Sequence, residues 1–494
     1  MPATYIGITI GPIYDTIRLS STPAALWAAS YLYSHIAKRI CEETVSQIKD
    51  GDKAAIITPY FCGNTAKMDE GVGLFHDRII FETDRPSIDM GIIQNIFGLV
   101  KDEIAQLLND QTGWIQSYLQ FHAVAFESDD NPILDSSPYL DAIELAKSFP
   151  DKTANNPLAE LFESADKNTR IRMQIKDGLH LSSWPLFSGE PQFQSRLPDM
   201  EYIVGKKSET KRCLQNREKL YEKPYSYYAI VQSDGDKFGE YIASHEPLEA
   251  SRKCLDFCLA AAEMIQGYGG VTIYAGGDDL LFLAPLWEKP NEPDVGNRRN
   301  ILEFLLEVKE KFCDVFGSDG PTISFGVAVR FYKYPLYEAF DEAYSLLFRK
   351  AKATRNSLAL SLRKHSGQNA EFVLEQFDDS EISRILSGMI VKRKDGDFLQ
   401  STATKLWQFR PLFAQALSMN DNAVKNVFEN IFDSEIHTKY QSELDEVREL
   451  LLCLNDQKTP EERLQELDAL LRFVKFFSEK GREDDEGGLN EAEG

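Results

Sequence analysis

Residues 271–283, VTIYAGGDDLLFL, place two apolar runs on either side of Gly276-Gly277-Asp278-Asp279. Apolar runs flanking such a corner read as a tight β-hairpin. Glycine accepts positive φ and lets a bulky neighbour approach the backbone, so Gly276 and Gly277 suit a turn that faces a phosphate. Two adjacent carboxylates repel each other, and hard oxygen ligands suit magnesium or manganese. On its own the pair serves a solvated turn equally well, because Asp and Gly are ordinary turn residues.

Residues 227–236, YYAIVQSDGD, form a second β-rich run that ends in Asp234 and Asp236. A helical pattern over 248–264 separates the two pieces. Strand, helix and hairpin open a ferredoxin-like βαββαβ unit, in which the end of the first strand lies beside the hairpin turn. Asp234 is therefore predicted to face Asp278 and Asp279. Three carboxylates converging at one edge make a two-metal site for in-line nucleotidyl transfer. One ion activates an attacking hydroxyl and the other neutralises a triphosphate and its departing pyrophosphate.

The elements that must hold this site belong to a chain of 494 residues, enough for two to four domains. Hydrophobic residues make up 43% and charged residues 27%, an ordinary soluble balance. The net charge of −24 disfavours non-specific nucleic-acid binding, so contact with RNA is expected to be local or through partner chains. No signal-peptide pattern or bilayer-length apolar run is present, which makes a cytoplasmic location the default and a membrane partner unexpected. None of the seven cysteines forms a C-x-x-C pair, so a structural zinc site and disulfides are not expected. Cys254 and Cys258 share a helix face and read as small buried hydrophobes.

The order strand, helix, strand, strand also occurs earlier, at 4–10, an apolar helix including Leu26, Trp27 and Ile36, 54–58 and 78–81. Gly11-Pro12 stands there where the later unit has Asp234-Gly235-Asp236. Helices are expected over 84–123, a loop over 128–137, and irregular chain over 182–199. Lys206, Lys207, Lys211 and Arg212 form the densest basic cluster, an anion patch or a solvated helix face. Beyond the hairpin, a helix over 299–316, a strand over 322–331, a helix over 336–354 and a strand over 357–362 are expected. From about 371 to 477 the pattern is helical.

These residues resemble a known family, the large palm-domain subunit of type III CRISPR effector complexes in its Cmr form. The likeness is carried by IGPIYDTI with ALWAASYLYS, GVGLFHDRIIF at 71–81, SDGDKFGEY at 233–241, and GGDD at 276–279. It continues in ISFGVAVRFYKYPLYEAFDEA running into KAKATRNSLALSLRKHSG. GGDD alone is weakly specific; the ordered series is strongly specific.

The resemblance implies an α+β fold: two ferredoxin-like palm (nucleotidyl cyclase/polymerase-like) domains plus helical domains. The expected division is a first palm without catalytic acids at 1–82, a mainly helical domain at 83–223 and a second palm with the GGDD site at 224–366. A helical C-terminal domain at 367–481 and a disordered acidic tail at 482–494 complete it. Asp234, Asp278 and Asp279 are implied as metal and catalytic carboxylates. Gly235, Asp236, Gly276 and Gly277 are implied at the nucleotide, and Ser324 near its adenine. Lys350, Lys352 and Arg355 lie where cations meet a triphosphate, although an exposed basic helix end accounts for them as well.

The resemblance also implies two Mg2+ or Mn2+ ions and ATP as substrate. The product is a signalling nucleotide made once target RNA is captured: a cyclic oligoadenylate, or AMP joined to S-adenosylmethionine. Implied partners are the backbone, small and guide-end-binding subunits, with guide RNA and target RNA. The family's HD nuclease domain is expected to be absent, because the sequence opens on the first palm, and its four-cysteine zinc module is absent too. His76-Asp77 is an HD pair in letters only and is expected to be structural. Two alternatives remain: a catalytically silent scaffold of the complex, and a stand-alone GGDEF-like dinucleotide cyclase.

Overall fold

The computed structural model describes residues 3–48, 56–61, 73–145, 156–159, 200–204, 226–288, 298–378, 381–391, 396–432, 440–455 and 457–478. Its first sheet contains β1 (Ala3–Gly11), β2 (Ile56–Thr58), β3 (Arg78–Glu82) and β4 (Gln120–Ser128) in the order β2-β3-β1-β4. All its pairings are antiparallel. The accompanying helices are α1 (Ile13–Arg18), α2 (Pro23–Gln47), α3 (Pro86–Leu107), α4 (Trp114–Tyr118) and α5 (Pro132–Glu144).

The second sheet contains β5 (Tyr227–Asp236), β6 (Val271–Gly276), β7 (Asp279–Pro285), β8 (Thr322–Phe331), β9 (Leu358–Arg363) and β10 (Asn369–Leu374). Their order is β10-β9-β8-β5-β7-β6, with only β8 and β9 parallel. Strands β8-β5-β7-β6 repeat the arrangement of β4-β1-β3-β2, the order of a βαββαβ unit. The protein is therefore an α+β fold with two palms. Helices α6 (Phe238–Ala243), α7 (Pro247–Tyr268), α8 (Ile301–Phe316) and α9 (Leu336–Leu346) accompany the second sheet, and a π-helical turn, Leu347–Ala351, extends α9. The C-terminal region is helical, and its last helix, Pro460–Ser478, lies against β10.

Helix α2 is capped by Thr22, which accepts a hydrogen bond from Ala25 N. Its residues Leu26, Trp27, Tyr31, Leu32, Ile36 and Ile40 are all buried, and so are residues on its other faces. A helix apolar all round belongs between layers, and α2 packs on both β1 and β6. The palms are tied further by Ala275 N donating to Gly73 O (3.0 Å) and Asn131 Nδ2 donating to Ile242 O (2.7 Å).

Three expectations are corrected. Residues 120–128 lie in a strand, not a helix: no turn residue separates α4 from β4, and only pairing with β1 along its whole length selects the extended form. Residues 132–137 open a helix, because Asn131 Oδ1 accepts from Ile133 N and Leu134 N. Residues 369–374 form β10. The first sheet thus runs past the boundary expected at 82 and the second past 366. The basic cluster at 206–212, the stretch 182–199 and the tail at 482–494 lie outside the described residues. Among the described residues, no helix is long and apolar enough to cross a membrane.

Gly326 lets α9 lie flush on β8, because a Cβ there would meet Ala343 O and Leu347 N. Gly326→Ala should lower stability by about 1–3 kcal/mol through overpacking, read as a fall in the denaturant midpoint. An unchanged midpoint would contradict this packing.

Candidate active site

Strand β5 runs antiparallel between β7 and β8, pairing Ser233 with Leu280 and Asp234 with Ser324. Gly276 and Asp279 close the β6–β7 hairpin, so Gly277 and Asp278 make its turn, with Gly277 at φ +69°. Register and turn together bring the three expected acids to one place. One carboxylate oxygen from each of Asp234, Asp278 and Asp279 lies within 4.8 Å of the others, and all three side chains are half-buried.

The glycines are steric requirements. A Cβ at Gly235 would stand 2.6 Å from Asp278 Oδ2, and one at Gly276 would collide with the Tyr274 hydroxyl. Burial pushes the Asp278 carboxyl up, opposed by hydrogen bonds from its own and the Gly235 backbone; the charge of Asp236 adds to the rise. Burial also pushes Asp279 up, reinforced by Asp278 and by Asp77 of the first palm. Hard oxygen donors crowded this closely, more acidic than one lysine offsets, fit a divalent cation.

That lysine is Lys352. Its ammonium pairs with the Asp234 carboxylate, lies 3.1 Å from Asp236 Oδ1, and donates to Asp234 O (2.8 Å) and Gly235 O (2.7 Å). It clamps the end of β5. Asp236 differs from its neighbour: it is 3% exposed and accepts from Thr322 Oγ1 (2.8 Å), Ser324 Oγ (2.8 Å) and Asn356 N (2.7 Å). Asp236 thus buttresses the end of β5, and Ser324, fully buried, donates to it. Lys350 pairs with Glu371 on β10. Arg355, at φ +58°, lines a cavity of about 640 Å3 with Asp236, Lys237 and Gly320.

A second cavity of about 610 Å3 lies between the palms. Asp279, Ser233 and Tyr274 of the second palm face it, with Asp77, His122 and Glu144 opposite. Ser233 Oγ and His122 Nε2 are buried and have no hydrogen-bond partner among the described residues. The HD pair divides: His76 Nε2 bonds Thr58 Oγ1 (2.9 Å) as a structural residue, whereas Asp77 lines the cleft. Burial raises the Asp77 carboxyl to about 6, with Arg78 opposing and Glu144 adding. Ser233 carried a signal in the sequence, next to Asp234, and Asp77 carried one as half of the HD pair; His122 and Glu144 carried none, because only packing of the sheets brings them here. Cys254 and Cys258 are buried, as expected, with Cys258 Sγ 3.5 Å from Gly277 O.

The family model described as Cas10/Cmr2, second palm domain, matches residues 227–359. That described as CRISPR-associated protein Cmr2, N-terminal, matches residues 5–124. The chain is 25% identical over 257 residues to the CRISPR system Cmr subunit Cmr2 of Pyrococcus furiosus. That match takes in 45% of this chain and 28% of the relative, so it spans well under half of that protein.

Solved structures share the fold. A crystal structure of a Csm1-Csm4 cassette in complex with AMPPNP has a TM-score of 0.55 at 15% identity, covering 97% of this chain and 70% of the other. The cassette in complex with cA4 has a TM-score of 0.53 at 14% identity, with the same coverage. A cryo-EM structure of Type III-B Cmr-beta in its apo state has a TM-score of 0.54 at 11% identity, covering 87% of this chain and 77% of the other.

The raised carboxyls fix a sign. Without metal, Asp278 and Asp279 keep their protons to higher pH in the folded chain than in the unfolded chain. The stability contributed by Asp278 and Asp279 is thus complete below the ordinary carboxylate range near pH 4 and is lost as pH rises through their raised values. Mg2+ or Mn2+ should restore it increasingly above that range, by about 2.7 kcal/mol at a hundred times the dissociation constant. Thermal unfolding should show Asp278→Asn/Asp279→Asn losing both the pH slope and the metal shift. An undiminished metal shift in that variant would exclude these residues as ligands.

Proposed function

This chain belongs to the Cas10/Cmr2 family of type III CRISPR large subunits, and from that premise we propose that its second palm is an ATP-dependent nucleotidyltransferase making a signalling nucleotide. The observation that carries the reading is the meeting of Asp234, Asp278 and Asp279 at a glycine-shaped turn. The related Csm1-Csm4 cassette bound to AMPPNP and to cA4 supports ATP as substrate. Asp234, Asp278 and Asp279 would hold Mg2+ or Mn2+. When bound, the ions would neutralise the triphosphate and lower the pKa of the attacking hydroxyl.

The chain's own residues do the rest. Lys352 fixes the Asp234 backbone and carboxylate, and Asp236, held by Thr322 and Ser324, fixes the strand end from beneath. Gly235 and Gly276 let the turn close. Lys237 and Arg355 line the cavity at Asp236, at the end of β5, and are suited to the donor triphosphate. The acceptor occupies the cleft between the palms, its hydroxyl attacks the α-phosphorus, and pyrophosphate leaves.

Of the two acceptors left open by the sequence, the cleft favours S-adenosylmethionine over a second ATP. Beside the proposed metal ligand Asp279, its described lining contains Asp15, Asp77 and Glu144, the last paired with Arg78 behind it, but no lysine or arginine. A phosphate charge about 5 Å from one such carboxylate meets about 3 kcal/mol of repulsion at an effective dielectric near 20. A cationic sulfonium or ammonium gains instead. The protein would act in the cytoplasm within a complex of backbone, small and guide-end-binding subunits on guide RNA, switched on by target RNA. A silent scaffold has no use for clustered acids.

Mass spectrometry of products from the assembled complex, given target RNA, Mg2+ or Mn2+, and ATP with or without S-adenosylmethionine, tests this. An AMP conjugate requiring S-adenosylmethionine is expected, falling at least about a hundredfold in Asp278→Ala/Asp279→Ala. Cyclic adenylates from ATP alone would overturn the choice of acceptor. No nucleotide product from a target-bound complex would overturn the enzyme reading.

A further inference from the structure

Away from the palm cleft, a basic concavity lies at the far end of the second sheet. A cavity of about 430 Å3 opens where the turn between β9 and β10 meets the helix Gly396–Gln408 and the last helix, Pro460–Ser478. Lys364 enters it from the turn, and Arg472 and Lys475 from the last helix. Asp468 is the one acid among the described lining residues, and Arg472 Nε pairs with it at 2.8 Å. Lys475 Nζ donates to Gln400 Oε1 at 2.8 Å, which holds that ammonium at the cavity. Lys364 is 8% exposed, its ammonium 5.7 Å from the centre of the Phe476 ring. Three cations against one acid stand out in a chain of net charge −24.

A second observation is an indole on the same wall. Trp407 lines the cavity and remains 56% exposed. Large apolar side chains of a helical bundle turn inward, as Phe398, Leu406 and Phe413 on neighbouring turns do. The Arg410 guanidinium lies over the Trp407 ring, 4.8 Å from its centre, and steadies it. Gln368, Gln400 and Gln465 add amides to the lining. The place is remote from the three acids. Strand β9 runs parallel to β8 from Leu358, opposite Phe325, and covers six residues, about 20 Å, before the turn that carries Lys364. Asp234 pairs with Ser324, at the opposite end of β8.

We propose that this concavity binds a segment of single-stranded RNA, with phosphates on Lys364, Arg472 and Lys475 and one base stacked on Trp407. Sites for single strands combine a basic groove with aromatic platforms, because every base has a π-face. The volume accommodates one nucleotide. The combination of cations, a flat ring and amides suits a nucleotide better than an acidic peptide, which meets the cations alone. The acidity of the rest of the chain confines such a contact to this patch among the described residues. The site is independent of the chemistry at Asp234, Asp278 and Asp279.

The test is fluorescence anisotropy of a fluorescein-labelled single-stranded RNA of roughly 12 nucleotides titrated with the full chain over a series of salt concentrations. Binding is expected, at least about tenfold tighter than to a duplex of the same length. Trp407→Ala should weaken it about tenfold, and Trp407→Phe, which keeps a π-face, should weaken it less. Arg472→Ala/Lys475→Ala should weaken it and flatten the slope of log affinity against log salt by about 1. A mere loss of structure would not flatten that slope. Asp278→Asn/Asp279→Asn should bind like the parent chain. Absence of binding, equal binding of the duplex, or undiminished binding by both Trp407→Ala and the double charge variant would overturn the site. Variants that bind RNA normally but no longer enter the assembled complex would overturn it too, by making the concavity a contact for a partner subunit.

Discussion

Three carboxylates forced together at the end of one strand are the constraint on which the rest of the second palm depends. Charges at most 4.8 Å apart repel by about 3 kcal/mol or more per pair at an effective dielectric near 20. The fold answers that repulsion locally. Lys352 places an ammonium between Asp234 and two backbone carbonyls, burial pushes the Asp278 and Asp279 carboxyls up, and Asp236 is saturated by donors so that it adds rigidity. Gly235 and Gly276 exist as glycines because the acids and Tyr274 occupy the space a Cβ would take.

The two palms share one strand order yet divide the labour. Strand β5 ends in Asp234, whereas the equivalent β1 ends at Gly11, followed by Pro12, and both of those residues line the cleft. Without acids of its own, the first palm supplies a wall: Asp77 before β3, His122 on β4, Glu144 on α5 and Tyr14 on α1. On the proposed reading, one palm holds the donor and the metal ions and the other shapes the acceptor site. Arg18 and Tyr14 both bond Asp341 of α9 and clasp the mouth of the cleft.

The carboxylate cluster was legible in the sequence because it is local. Two short motifs and one helix between them suffice to place Asp234 beside Asp278 and Asp279. The roles of the neighbouring residues were not legible. Asp236 looks as much like a ligand as Asp234 does, and only Thr322 and Ser324 on β8 reveal it as a buttress. Lys350 and Lys352 look alike too, yet one faces Glu371 and the other the acids. Strand β4 was hidden because its extended form depends on pairing with β1 rather than on its own pattern. The cleft was hidden for the same reason at larger scale: Asp77 and Tyr14 acquire meaning only when α2 seats one sheet on the other.

The most direct measurement counts metal ions. Electron paramagnetic resonance of Mn2+ titrated into the full chain with a non-hydrolysable ATP analogue should show two ions bound per chain, and Asp278→Asn/Asp279→Asn should lose them. Failure of the parent chain to bind Mn2+, or equal binding by the variant, would contradict a metal-dependent transfer site built on these three carboxylates.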